Sequence, residues 1–197
     1  MPVVDVDPAV ARRRLEEADI AVTEGNTEHE QWRAETDDAV AVAYDDSVVI
    51  QGQNPQRLQA VISDTAGRAH LYFDGASRGN PGPAAVGWVI VTSDGIVAEG
   101  SDTIGTATNN QAEYQALIAG LEIASEYGFD ELQIRGDSEL IIKQIRGEYQ
   151  VSDPTLREHR VTAHELLSEF SDWELTHVPR EVNNRADSLA NEALDHG

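Results

Sequence analysis

The chain contains no cysteine, and Lys143 is its only lysine among 197 residues. The absence of cysteine excludes disulfide bonds, thiolate metal sites and a cysteine nucleophile, so any metal must be held by oxygen or imidazole ligands. No apolar run reaches the roughly 18 residues of a membrane span, and the amino terminus lacks the pattern of a signal peptide. We therefore expect a cytoplasmic protein without a membrane segment.

Positive charge is also scarce. The sequence has 36 acids against 14 lysines and arginines, a net charge of −22, and the acids are scattered through both halves. Dispersed acids with almost no lysine are typical of adaptation to molar salt, where the Debye length falls to about 3 Å and repulsion is screened. The alternative is a merely acidic protein, and the composition favours a halophile.

Two units are predicted, residues 1–68 and 69–197, because small and polar residues interrupt the apolar pattern over 63–69. The first unit reads as a small α/β module. Its arginines at 12–14 either contact phosphate or form the solvated face of a helix. The elements predicted there are a helix over 9–22, strands over 39–44 and 47–50, and a helix ending at Ile62 that Asn54 caps.

The second unit shows the alternation of β-strands first and helical periodicity later. Asp94 and Gly95 predict a hairpin turn, and Thr108 with Gln111 forms a capping-box pattern at a helix start. This order predicts a mixed five-stranded sheet, three antiparallel strands and then parallel ones, with helices on its faces. The predicted strands cover 70–74, 85–92, 96–104, 132–135 and 173–178, and the predicted helices cover 110–127, 155–170 and segments starting near 138 and 186.

Four acids stand at predicted strand ends or helix starts. Asp74 and Asp137 follow strands that could be neighbours, and Glu113 and Asp187 lie in the first turns of helices. Each acid alone is ordinary, because the helix dipole favours acids in a first turn and acids are common in turns after strands. Because the four positions can converge on one edge of a sheet, together they are hard to explain as turns and caps.

Four sequence segments around these acids carry a resemblance to a known family. They are YFDGASRGNPGPAAVG, TNNQAEYQAL, RGDSELIIKQI and PREVNNRADSLANEAL, in that order along the chain. In these segments the second unit, from about Leu71 to Leu194, resembles type 1 ribonuclease H. The resemblance implies a ribonuclease H-like fold and an endonuclease that cuts the RNA strand of RNA–DNA hybrids, leaving 5'-phosphate and 3'-hydroxyl ends.

The same resemblance implies a site for two Mg²⁺ ions, for which Mn²⁺ is expected to substitute. In this assignment Asp74 bridges both ions, Glu113 and Asp137 hold one, and Asp187 holds the other. Two divalent ions suit phosphodiester hydrolysis, since they activate water and neutralise charge on the phosphate. Oxygen ligands are those that Mg²⁺ prefers.

Substrate contacts are likewise implied by the matching positions. Asn80, Asn109 and Asn110 stand where the family reaches minor-groove edges and sugar hydroxyls, which suits a reader of hybrid shape. Thr108 is placed to contact a DNA phosphate, and Gly75 belongs to the same set. Asn109 and Asn110 also fit plain helix capping, and both roles can hold at once.

The sequence departs from the family pattern at several positions. Many members carry a mobile histidine before the fourth acid, where this chain reads HVPREVNN. Arg180 is the substitute we expect, acting through charge because arginine cannot shuttle protons at neutral pH. His177 is the alternative, although we expect it to belong to the last strand. Ala76 and Glu139 replace a frequent hydroxyl and a frequent amide.

The basic, tryptophan-containing insertion of many members is also missing. Arg146, Arg157 and Arg160 remain as weak phosphate contacts, although exposed helix arginines are mostly solvated. A hybrid-binding role for residues 1–68 would compensate, but no motif there supports it. The leading hypothesis is an active, monomeric, metal-dependent hybrid nuclease. The alternatives are an inactive hybrid-binding module and a nuclease of the same fold acting on double-stranded RNA or DNA junctions.

Overall fold

The structure is a computed structural model that describes residues 3–4, 6–63, 67–93 and 95–196. These residues form two compact units, one of Met1–Gly67 with Glu126–Phe129 and one of the remaining chain. Residues 64–66, in the predicted joint, and Asp94, in the predicted turn, lie outside the described residues. None of the described helices is long and apolar enough to cross a membrane.

The first unit is an antiparallel sheet packed against two helices. One hydrophobic cluster contains Leu15 and Leu58 from the helices together with Trp32 and Ile50 from the strands. The sheet order is β1-β5-β4-β3-β2. The strands are β1 (Val3–Val4), β2 (Val22–Glu24), β3 (Trp32–Glu35), β4 (Ala39–Ala43) and β5 (Val48–Gly52), and the helices are α1 (Pro8–Glu17) and α2 (Pro55–Ile62).

Two local predictions for this unit need correction. The first helix ends at Glu17 rather than near residue 22, because Asp19 takes a left-handed backbone angle (φ 56°) that a helix cannot continue. Asn54 does occupy the N-cap position of α2, but its side chain makes no capping hydrogen bond. Its side chain bonds to Tyr127 instead. The three arginines of α1 are also occupied, since Arg12 and Arg13 pair with glutamates one turn on and Arg14 donates to the Ile62 carbonyl.

The second unit confirms the predicted mixed five-stranded sheet. Its order is β10-β9-β6-β7-β8, with β6, β7 and β8 antiparallel and β6, β9 and β10 parallel. The strands are β6 (Arg68–Ser77), β7 (Gly82–Thr92), β8 (Gly95–Ala107), β9 (Glu131–Gly136) and β10 (Asp172–His177). The helices are α3 (Asn109–Glu126), α4 (Glu139–Ile145), α5 (Pro154–Leu167) and α6 (Asn184–His196), with a 3-10 turn over Arg180–Val182.

Helices α3 and α6 approach opposite faces of this sheet at glycines. A Cβ on Gly120 of α3 would lie 2.6 Å from Leu71 Cδ1, and a Cβ on Gly87 of β7 would lie 2.3 Å from the Ala186 carbonyl oxygen of α6. Gly87 pairs with Asp74, whose side chain therefore points to the face opposite that of Leu71. This close packing holds the amino-terminal turns of both helices at the sheet edge where Asp74 lies.

Candidate active site

Parallel pairing brings two of the predicted acids to one edge of the sheet. Strands β6 and β9 pair in parallel as far as Tyr72 with Arg135, so both chains run toward the same edge. Asp137 directly follows β9. Asp74 does not end its strand as predicted, because β6 stays paired with β7 through Ser77 after its pairing with β9 has stopped.

Glu113 reaches this edge from α3 because Gly75 lets the helix approach. A Cβ on Gly75 would lie 2.2 Å from the Ala112 carbonyl carbon and 2.3 Å from the Glu113 nitrogen. The Gly75 backbone N–H also donates a hydrogen bond to the Glu113 carboxylate. One carboxylate oxygen from each of Asp74, Glu113 and Asp137 lies within 4.8 Å of the others. The contact of Gly75 with α3 accounts for the glycine without any substrate.

Asp187 comes from the first turn of α6 and lies outside that close group of three. Its Oδ1 accepts a hydrogen bond of 2.6 Å from Arg180 Nη2. The start of α6 is anchored by Asn183, which is 1% exposed and donates from Nδ2 to the Phe73 carbonyl at 2.9 Å. The Asp187 N–H in turn donates to the Asn183 carbonyl at 3.1 Å. Asn183 thus links the helix turn that carries Asp187 to β6, beside Asp74.

Burial and mutual repulsion dominate the electrostatics of the site. Asp74 is only 4% exposed, and burial together with the charges of Asp137 and Asp187 raises its pKa to about 8. Burial and the charges of Asp74 and Asp137 raise the pKa of Glu113 well above its usual range. The ionised form of both carboxylates is therefore disfavoured, and a cation bound among them would be strongly favoured.

The donor set fits a hard divalent cation. All three close ligands are carboxylates, which suit Mg²⁺ or Mn²⁺ better than softer metals. Glu113 Oε2 is buried and has no hydrogen-bond partner among the described residues. Buried polar atoms are normally satisfied, so an acceptor left open beside two further carboxylates is the mark expected of a metal ligand.

Four of the five predicted substrate contacts lie at the start of α3 or in the loop after β6, whereas Gly75 lies within β6. Asn80 Oδ1 accepts from the Asn109 N–H at 3.2 Å, which leaves the Asn80 amide nitrogen available as a donor. Thr108 and Gln111 form the expected capping box, with bonds of 3.2 and 2.9 Å. Asn109 is exposed and Asn110 partly so at the beginning of the helix. Capping and substrate contact are therefore compatible for this group.

Arg180 and His177 contact different parts of the site. Arg180 bonds to the carboxylate of Asp187, and its charge also acts on Asp74 and Asp137. His177 lies at the end of β10, as expected from the sequence, with Nε2 3.1 Å from the Asp137 backbone carbonyl. Only the arginine therefore contacts the side chain of one of the four acids.

The sequence did not point to Asn183, whose neighbours look like an ordinary polar loop. It also left the role of three arginines open. Arg146, Arg157 and Arg160 donate to the backbone carbonyls of Leu175, Val151 and Gln144, respectively. These bonds give all three arginines structural roles in the fold.

Comparisons with known proteins agree with this geometry. The model of a family described as reverse transcriptase-like matches residues 72–193. A ribonuclease HI of Halobacterium salinarum is 60% identical over 197 residues, which cover 99% of each chain. The crystal structure of RNase H1 from the same halophilic archaeon is 67% identical with a TM-score of 0.65, over 66% of this chain and 100% of that one. LC11-RNase H1, solved in complex with an RNA/DNA hybrid, is 43% identical with a TM-score of 0.62, over 65% of this chain and 97% of that one.

Proposed function

This chain belongs to the ribonuclease H family, and we propose that it is an active, divalent-metal-dependent endonuclease that hydrolyses the RNA strand of RNA–DNA hybrids. The products would carry 5'-phosphate and 3'-hydroxyl ends. The observation that carries the proposal is the group of Asp74, Glu113 and Asp137 at the edge of the parallel strands. A family relation alone would also fit an inactive relative, whereas a carboxylate cluster with a buried, unsatisfied oxygen on Glu113 is costly to keep without a cation.

The four acids would divide the ligand roles for two Mg²⁺ ions, with Mn²⁺ able to replace them. Asp74 would bridge, Glu113 and Asp137 would hold one ion, and Asp187 the other. Bound there, the ions would activate the attacking water and stabilise the departing oxygen. The protein's own contribution is to fix the carboxylates, through Gly75 beside Glu113 and the neighbouring helix starts, so that little rearrangement is needed.

Arg180 is proposed as the cationic group that acts on the phosphate or the leaving oxygen. Its guanidinium stays charged at all working pH values, so it would act through its field and its hydrogen bonds rather than by proton transfer. This role is supported by the 70% exposure of its side chain and by its electrostatic interaction with the neighbouring acids. His177 would position the Asp137 backbone and contribute less.

The hybrid would be held mainly by hydrogen-bond donors and acceptors rather than by basic side chains. Asn80, Thr108, Asn109 and Asn110 form the proposed contact set for the minor groove and backbone, and the backbone of Gly75 in β6 is proposed as a further contact. Such contacts suit a protein that works in high salt, because phosphate contacts weaken steeply as the salt concentration rises. The hydrogen bond from the Asn109 N–H to the Asn80 side-chain oxygen supports this role, because it leaves the Asn80 amide nitrogen available as a donor.

We further propose that residues 1–68 are a separate module and that residues 69–197 form the catalytic domain of a cytoplasmic monomer. The module would raise the local concentration of hybrid, which would offset the lack of basic contacts in the catalytic domain. It holds none of the four acids, so its loss should affect substrate affinity rather than chemistry.

Two other functions remain as outcomes of one experiment. The same labelled sequence is offered as hybrid, RNA duplex, DNA duplex and single-stranded RNA, each in high salt with Mg²⁺, Mn²⁺ or EDTA. We expect cleavage of the RNA strand of the hybrid with either metal and none in EDTA. Cleavage of duplex RNA alone would indicate a same-fold nuclease with another substrate. Binding of hybrid without cleavage would indicate an inactive module.

A further inference from the structure

Arg180 holds the one acid of the four that stands outside the close carboxylate group. Its Nη2 lies 2.6 Å from Asp187 Oδ1, while the other three acids gather within 4.8 Å of one another. In this structure the guanidinium therefore supplies the positive charge that Asp187 would otherwise take from a metal. The reasoning that follows rests on the proposed two-ion site.

The segment that carries Arg180 is an exposed 3-10 turn between two anchored residues. Residues 179–182 are all exposed, whereas Val178 before them and Asn183 after them are buried. Val178 donates to the Gly136 carbonyl and Asn183 to the Phe73 carbonyl, so both ends of the segment are fixed. A short exposed turn between two anchors lets Arg180 leave Asp187 while the acid stays in place.

The pair is also weak enough to be displaced. Arg180 is 70% exposed and the Asp187 side chain 23% exposed, and ion pairs near solvent contribute little free energy. When the guanidinium leaves, Asp187 keeps the favourable field of the α6 amino terminus. The guanidinium meanwhile regains water. The contact therefore neutralises Asp187 without locking it.

We propose that Arg180 is a displaceable cation that competes for Asp187, so that the site fills in order. Asp74, Glu113 and Asp137 take a divalent ion first, since Arg180 does not contact their side chains, and Asp187 becomes a ligand only after Arg180 has moved away. The released guanidinium is then free to face the phosphate. Arg180 is in this respect a positioning residue, which affects the affinity of the second ion more than that of the first, because it contacts Asp187 but acts on Asp74 and Asp137 only through its charge.

Mn²⁺ titration of metal-free protein, followed by the electron paramagnetic resonance of free Mn²⁺ without nucleic acid, tests this order. We expect two binding steps in the wild type. Arg180→Ala should tighten the second step by about two- to fivefold, the size of an exposed ion pair, and change the first step less. Arg185→Ala is the matched control, since Arg185 lies on the same helix as Asp187 but pairs with Glu99. It should change neither step.

A double-variant cycle separates direct contact from general charge. If Arg180 acts mainly through Asp187, Arg180→Ala should have a much smaller effect on Mn²⁺ binding in an Asp187→Asn background than in the wild type. The proposal is overturned if Arg180→Ala leaves the second step unchanged, if Arg185→Ala tightens it equally, or if the effect persists undiminished in Asp187→Asn. Hybrid cleavage by the wild type is measured in parallel. Cleavage with an unaltered second step refutes only the competition, whereas ordered binding without cleavage refutes only the proposed function.

Discussion

The two sheets of this molecule differ in what they bury. Both have five strands and pack against helices, but in the first unit every strand is antiparallel and the buried residues are hydrophobic among those described. The second unit contains the parallel strands and all the buried polar residues of the described chain, which are Asp74, Thr92, Gln144 and Asn183. Parallel strands run toward a common edge, so acids just beyond the parallel pairing, Asp74 within β6 and Asp137 after β9, come close together.

This difference teaches that burial, not abundance, sets Asp74 apart from the other described acids of the chain. The chain has 36 acids, and most lie at the surface, where water and salt ions can screen them. The acids at the parallel edge are less exposed to water and salt ions. Their mutual repulsion destabilises the fold unless a bound cation offsets it. The first unit has no such group within its described residues, which is consistent with a role outside the chemistry.

Replacing Asp74, the most buried acid, should lower activity more than any other single substitution considered below. Asp74→Asn should lower turnover on hybrid by at least about 100-fold, above the usual cost of residues that only support a metal ligand. Asp102→Asn, which alters an exposed acid of β8, is the matched control and should leave turnover unchanged. Steady-state cleavage of labelled hybrid measures both. Retention of more than about a tenth of wild-type turnover by Asp74→Asn would contradict the assignment.

Exposed groups at the same edge should matter less than the buried acids. Arg180→Ala should lower turnover by about 10- to 100-fold. This loss is smaller than that caused by removing a buried hydrogen-bond donor to an oxyanion, because the arginine is largely solvated. His177→Ala should cost less, since its ring contacts only the Asp137 carbonyl. Turnover of the two variants under identical salt and metal decides the ranking. A larger loss for His177→Ala would transfer the role to the histidine.

The metal-free site should make stability depend on pH in an unusual direction. The pKa of Asp74 is raised to about 8 from an ordinary 3.8, so between these values the folded state keeps a proton that the unfolded state has lost. The free energy of unfolding in EDTA should therefore fall as the pH rises from about 4 to about 8. The raised pKa of Glu113 acts in the same direction.

Asp74→Asn removes one of these protons and should flatten that dependence. Urea unfolding at fixed KCl, at several pH values in EDTA, measures the difference between the variant and the wild type. Mg²⁺ should restore wild-type stability at pH 8 and change the variant less. Parallel pH curves for the two proteins would show that Asp74 is not the group that keeps its proton in the folded state.

The smallest effect is expected from removing the first unit. Deletion of residues 1–68 should raise the Michaelis constant by about a few-fold and spare turnover, because it removes the proposed hybrid-binding module but none of the four acids. The solved Halobacterium salinarum structure, whose chain aligns over 66% of this sequence, indicates that such a domain folds by itself. An unchanged Michaelis constant would make the unit a stability or partner element instead.

Much of this arrangement could be predicted from the sequence because its signals are local. Alternation predicted β6, β7 and β8, and Thr108 with Gln111 predicted the start of α3. What could not be predicted depends on distant partners. The position of Asp74 inside its strand follows from pairing with β7, and the burial of Asn183 follows from a bond to Phe73, 110 residues away. Strands β1, β2 and β3 were missed because they are only two to four residues long, so that even the alternation in WRAE is too short a signal.

Diffraction from crystals soaked in Mn²⁺, measured at a wavelength where manganese scatters anomalously, tests the central claim most directly. The account predicts an anomalous peak ligated by Asp74, Glu113 and Asp137, and no such peak in Asp74→Asn crystals. A wild-type map in which manganese lies only among exposed acids, with nothing between these three carboxylates, would contradict it.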